Sequence, residues 1–176
     1  MDIHIVTGVG TGRTTLSAFD SALKVAGVLN YNLIPLSSII PPNSKVYKIR
    51  RYKTPKEEYG HKLYVVKAEI RSHEVGKFLA AGIGWYQFGE DGRGVFVEHE
   101  IIGETKVAVE SEIALRIKNS LKDLCENRNV KFSEGKVKST ISLTQISNHP
   151  TSVLALAVFQ SEGWELVTGK VKELGS

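Results

Sequence analysis

Cysteine is almost missing from this chain. Only Cys125 occurs in 176 residues, which excludes an intramolecular disulfide framework and a cysteine-rich zinc site and fits a reducing, cytoplasmic setting. The five histidines, at positions 4, 61, 73, 99 and 149, are scattered without helical metal spacing, so no metal centre is expected. No apolar run approaches the roughly 18 residues that span a bilayer. The opening Met1-Asp2-Ile3-His4 lacks the basic-then-apolar order of a signal peptide. Internal repeats and low-complexity tracts are missing too. The charge excess is only +4, which argues for solubility rather than for nucleic-acid binding. What remains is 41% apolar and 24% charged residues, an ordinary globular composition that suits one domain over residues 1–176.

Residues 3–7 have the β-branched and apolar character of a short strand, and Gly8-Val9-Gly10-Thr11-Gly12 is expected to break it. Thr14 or Thr15 can cap a following helix, in which Leu16, Phe19, Leu23 and Val25-Ala26 form an apolar stripe ending at Gly27. A strand is expected over about 30–36, and the charged stretch 45–62 reads as an exposed connection. Strands follow at 63–70, 75–88 (where a helix is the alternative), 95–102, 137–146 and 153–159, with Glu90-Asp91-Gly92 as a turn. The clearest helix covers 104–124, where Val109, Ile113, Ile117, Leu121 and Leu124 recur at helical spacing. Strands flanking two helices without strict β-α-β alternation imply an α+β class.

The glycine run between a strand and a helix invites a nucleotide reading, but the pattern fails. Counting back from Gly12 places Thr7 where the phosphate-loop motif needs glycine, and Arg13 stands at its lysine. The dinucleotide fingerprint fails at the same position. A tight turn into a helix is the better reading.

Chemistry is concentrated elsewhere. Ser37-Ser38 ends an apolar strand, and Ile39-Ile40-Pro41-Pro42 stops it just beyond. Within Val97-Glu98-His99-Glu100, the two glutamates share one strand face, and their mutual repulsion favours the neutral acid on one of them. Pattern alone leaves open whether both instead face solvent. Asp20 sits in the apolar stripe of the first helix, as a solvated edge residue or as a partner for a guanidinium. Leu23 follows one turn later. Asn32 shares strand parity with Ser38, or is simply a turn residue.

Several segments together resemble the pyruvoyl-dependent arginine decarboxylases. They are Gly12-Arg13-Thr14-Thr15-Leu16-Ser17-Ala18-Phe19-Asp20, Asn30-Tyr31-Asn32, and Leu36-Ser37-Ser38-Ile39-Ile40-Pro41-Pro42, followed by Glu98, His149-Pro150, Ala155–Phe159 and Gly163-Trp164-Glu165. The resemblance implies a four-layer α/β/β/α sandwich and a zymogen that cuts itself between Ser37 and Ser38. The products are a β chain of residues 1–37 and an α chain of 38–176, with Ser38 becoming a covalent pyruvoyl group. It implies an L-arginine decarboxylase that forms agmatine, a polyamine precursor, through a Schiff base on that group. Glu98 falls as the general acid, Asp20, Leu23 and Asn32 in the substrate pocket, and Ser37 and Ile39 beside the cofactor. It also implies homotrimers with active sites between subunits. The sequence departs from the family at Arg13, where a carboxylate is common, and aligns with it only loosely over 45–93, which includes Arg50-Arg51-Tyr52-Lys53-Thr54-Pro55-Lys56. A decarboxylase of another amino acid and a non-enzymatic oligomeric binding protein of the same fold are the alternatives.

Overall fold

Two sheets and two helices make up the computed structural model, which describes residues 1–165. In chain order the elements are β1 (Asp2–Thr11), α1 (Thr15–Ala26), β2 (Asn32–Pro35), β3 (Ile39–Ile40), β4 (Lys45–Lys48), β5 (Lys62–Ser72), β6 (Phe78–Gln87), β7 (Gly94–Gly103), α2 (Lys106–Glu126), β8 (Lys138–Gln145) and β9 (Thr151–Glu162). The first sheet has the order β2-β5-β9-β1-β4 and the second β3-β7-β6-β8. β1 pairs in parallel with β4 and antiparallel with β9, so the first sheet is mixed. The second is antiparallel throughout.

Three apolar clusters stack these elements. Ile3, Ile5, Val66, Ala68, Leu79, Ile83, Phe96 and Ala155 fill the space between the sheets. Ala22, Leu23 and Ala26 of α1 pack on the outer face of the first sheet against Val6, Leu63 and Leu156. Val109, Ile113, Ile117 and Leu121 of α2 pack on the outer face of the second against Ala80, Val95 and Val97. The α2 stripe follows from its spacing of three to four residues, which places all four on one side of the helix.

The first helix differs from its sequence reading. Its buried face is made by Ala18, Ala22, Leu23 and Ala26, whereas Leu16 and Val25 are 67% and 52% exposed. The glycines upstream explain this. β1 does not break at Gly8 but runs on to Thr11. A Cβ on Gly8 would lie 2.1 Å from the Ala22 carbonyl oxygen, and one on Gly10 would lie 2.2 Å from the Ala22 nitrogen. The glycines therefore let the helix backbone rest on the strand, and alanine is the side chain that fits so close an approach. Thr14 caps α1 and Ser17 returns a bond to the Thr14 N–H, while Gly27 closes the helix in the left-handed conformation at φ 88°. The stretch 45–62 is not simply a connection: Lys45–Lys48 adds the edge strand β4 beside β1.

Gly10→Ala should destabilise the protein by about 3 kcal/mol, the upper end of overpacking costs, because backbone rather than a flexible side chain blocks the new methyl group. Urea denaturation measures this, and a loss below about 0.5 kcal/mol would show that the helix can lift off the strand freely.

Candidate active site

Residues 36–38 carry the chain from one sheet to the other. The Leu36 N–H donates to the Val65 carbonyl of β5 at 2.9 Å, in the first sheet. The Ser38 carbonyl accepts from the Phe96 N–H of β7 at 2.8 Å, in the second. Ile39 then pairs with Val95. Between these two anchors the backbone must turn, and Ser38 takes φ 64°. For a residue with a side chain this left-handed conformation costs roughly 1–2 kcal/mol. The parity argument that joined Asn32 to Ser38 fails for this reason, since the chain between them is not extended throughout.

The turn delivers the Ser38 hydroxyl to Glu98. Its Oγ lies 2.9 Å from both carboxyl oxygens, Oε1 and Oε2. Glu98 stands on β7 opposite Ile83 and is partly buried. Burial pushes its carboxyl above the usual range, the Ser38 hydroxyl pulls it back, and the charge of Glu100 pushes it up further. Glu100 is held by the Glu69 N–H at 3.0 Å. Glu69 is in turn paired with Arg71 and Lys67.

Ser38 and Glu98 open into a cleft of about 320 Å³ that also includes Ser37, Ile39, His99 and Arg128. Helix α2 supplies the far wall. Its Ser120 hydroxyl lies 2.9 Å from His99 Nε2, and burial holds the His99 imidazole below its ordinary value. Arg128 is fixed by a bond from Nη1 to the Leu124 carbonyl at 2.9 Å. Sequence reasoning missed Ser120 and Arg128, since nothing in a linear pattern says which turn of α2 faces β7. His99 carried a signal in its position between Glu98 and Glu100.

Asp20, Leu23 and Asn32 do not enter this cleft within one chain. Asp20 is exposed on α1, with both sheets between it and α2. Leu23 is buried beneath α1. The Asn32 amide donates to the Gly60 carbonyl at 2.6 Å. No group of three or more potential metal ligands occurs among the described residues, and no helix there is long and apolar enough to cross a membrane.

The arrangement has a definite chemical capacity. A hydroxyl hydrogen-bonded to a carboxyl group, on a strained residue directly after a peptide carbonyl, supplies the nucleophile and the base that an attack on a carbonyl requires. The family model described as "Pyruvoyl-dependent arginine decarboxylase" matches residues 2–163, and the chain belongs to that family. Among curated proteins it is 34% identical over 106 residues to a protein of that name from Thermoplasma volcanium, a match covering 60% of this chain and 58% of the relative. A Picrophilus torridus protein of the same name is 31% identical over 108 residues, covering 59% and 57%. One from Methanococcus vannielii is 33% identical over 109 residues, covering 59% and 61%. The matches thus span under two thirds of these relatives' length.

The left-handed turn makes one stability comparison informative. Uncut Ser38→Gly should be about 1 kcal/mol more stable than uncut Ser38→Ala, because only glycine takes φ 64° without steric cost. Equal denaturation midpoints would mean that the turn relaxes once the hydroxyl is gone.

Proposed function

We propose that the chain is a self-processing decarboxylase that converts L-arginine to agmatine and carbon dioxide, with a pyruvoyl group made from Ser38. The observation that carries this reading is the contact of the Ser38 hydroxyl with both oxygens of Glu98, at the strained crossing between the sheets. The family and the names of its relatives supply the substrate and the cofactor.

Processing begins when Ser38 Oγ attacks the Ser37 carbonyl carbon and its proton passes to Glu98. The Ser37–Ser38 C–N bond breaks, the nitrogen gains a proton, and an ester joins the fragments. Loss of the Ser38 Cα proton expels the Ser37 carboxylate and leaves dehydroalanine. Water then releases ammonia and leaves a ketone at the head of residues 38–176, with residues 1–37 as the second fragment. The residues present fit this sequence: a positive φ strains the residue that follows the bond to be broken, and the carboxyl group that accepts the proton is in contact.

The finished ketone supplies an electron sink for the pair left when the substrate carboxylate departs. Glu98 holds the proton that must then reach the substrate α-carbon. Its chemistry suits both duties. In the precursor burial pushes the carboxyl up, and the Ser38 hydroxyl pulls it partway back toward the ionised form, the base. Processing consumes that hydroxyl, leaving burial and Glu100 to push the carboxyl up toward the neutral acid. Ser37 and Ile39 flank the cleft mouth. Asp20, exposed and without a salt-bridge partner among the described residues, is free to receive the substrate guanidinium from a neighbouring copy in a trimer. Leu23 and Asn32 are already engaged, so they shape that wall indirectly, through α1 and the Gly60 turn.

Ser38→Ala should run as one full-length band with no carbon dioxide release, whereas the unaltered protein gives two fragments; a cut alanine variant would refute the assignment of the nucleophile. Glu98→Gln should slow both cleavage and turnover by about 10²-fold or more, the usual contribution of a proton-transfer group. The two reactions should also have opposite pH dependence. Cleavage needs the carboxylate and so accelerates as pH rises through the elevated Glu98 pKa, while turnover needs the acid and falls above it. Parallel pH profiles would remove Glu98 from one of the two steps. Asp20→Ala should leave cleavage intact and raise KM for arginine, with assays on lysine, histidine and aspartate testing substrate choice; an unchanged KM would take Asp20 out of the pocket.

A further inference from the structure

A cavity larger than the Ser38–Glu98 cleft lies away from this chemistry. It holds about 630 Å³ against 320 Å³ for the Ser38–Glu98 cleft, within the roughly 300–1,000 Å³ range of small-molecule sites. Its walls come from the end of α1 and from the segment 51–56, with Tyr59 beyond it. Four cations line it: Lys24 from the helix, and Arg51, Lys53 and Lys56 from the segment. Among the described residues no aspartate or glutamate does.

Cations elsewhere on the described surface are of both kinds: Arg13, Lys45, Lys131 and Lys138 stand unpaired, whereas others are matched. Lys62, Lys67, Arg71, Lys77, Arg93 and Lys106 each stand within 4 Å of a carboxylate. None of the four cavity cations has such a partner among the described residues. Glu58, on the adjoining 3-10 turn, is engaged by the Tyr31 hydroxyl instead.

The segment is also firmly built, so the cations are not on a loose loop. The Tyr52 N–H donates to the Ala26 carbonyl at 2.9 Å, and the Thr54 hydroxyl donates to the Gly27 carbonyl at 2.6 Å. These bonds occupy helix-end carbonyls whose negative dipole would otherwise repel an anion. Gly27 forms the floor, where a Cβ would lie 2.1 Å from the Tyr52 carbonyl oxygen. The Tyr52 ring is tied down against Tyr31 and His4. Tyr59, by contrast, is 75% exposed at the rim.

A concave site of one charge sign focuses its field and pays a self-repulsion that an anionic ligand relieves. One cation would suit a simple carboxylate. Four from two elements suit a ligand with several phosphate charges, since both arginine and lysine bind phosphate oxygens well. The exposed Tyr59 ring adds a flat surface on which an aromatic base can stack. We propose that this cavity binds a nucleoside di- or triphosphate, with the phosphates among Lys24, Arg51, Lys53 and Lys56 and the base on Tyr59. The site is separate from the glycine run at 8–12, which is occupied by the contact between β1 and α1.

Titration calorimetry of the intact protein with ATP and with inorganic tripolyphosphate, at low ionic strength, tests the proposal. Both ligands should bind saturably and weaken with added salt, and ATP should bind more tightly. Lys53→Glu/Lys56→Glu should weaken both by about ten-fold or more. Tyr59→Ala should weaken ATP alone, to the level of tripolyphosphate. Lys106→Glu/Lys122→Glu on α2 makes the same change of net charge and should alter neither, and circular dichroism confirms that each variant is folded. Absence of saturable binding, or equal losses in the α2 control, overturns the site. Equal affinity for ATP and tripolyphosphate overturns the nucleotide assignment, and binding of single-stranded RNA without binding of ATP overturns the small-molecule one.

Discussion

The crossing between the two sheets governs the site. Leu36 is bonded into the first sheet and Ser38 into the second, so the intervening backbone has little freedom to relax. The sheets are held face to face by an apolar core to which Leu79, Ile83, Phe96 and Ala155 all contribute. The packing energy of that core therefore sustains the left-handed geometry at Ser38. A serine pair on an unconstrained loop would adopt an ordinary conformation and would have no fixed relation to a carboxylate.

The second requirement is electrostatic. Glu98 lies in a partly desolvated position, and its neighbour on the same strand face carries the same charge. Glu100 is not free to move away, because the Glu69 backbone N–H of β5 holds it. This bond fixes the repelling charge at a set place. On the other side of β7, the partly buried His99 is kept toward its neutral form beside Ser120, so it brings little positive charge to stabilise the Glu98 anion.

Much of this was legible in the residue order. The α2 stripe, the strands at 63–70 and 95–102, the caps at Thr14 and Gly27, and the α+β class follow from periodicity and end signals. So does the shared face of Glu98 and Glu100. The glycines at 8 and 10 misled because a glycine that admits a neighbouring backbone looks like one that makes a turn, and only the packing of Ala22 separates the two. The exposure of Leu16 and Val25 has the same origin: the close approach selects small residues, so hydrophobicity no longer marks the buried face. β3 and β4 are two and four residues long and take their pairing from distant strands, which leaves little local pattern to read. Asp20 and Asn32 stood close to Ser38 in sequence, but α1 and the crossing place them on other surfaces of the same chain.

The location of the Ser37–Ser38 bond has a bearing on how the protein recovers from denaturation. Upstream of it lie β1, enclosed between β9 and β4, and β2 on the edge beside β5. If the chain is cut there as proposed, β1 would stay in place, since leaving would tear open the middle of the first sheet. Reassembly would be another matter. Uncut, all strands return on one molecule and refolding is first order; cut, two separate pieces would have to meet, so recovery would depend on dilution. The proposed maturation would thus leave a fold whose persistence rests on never fully opening.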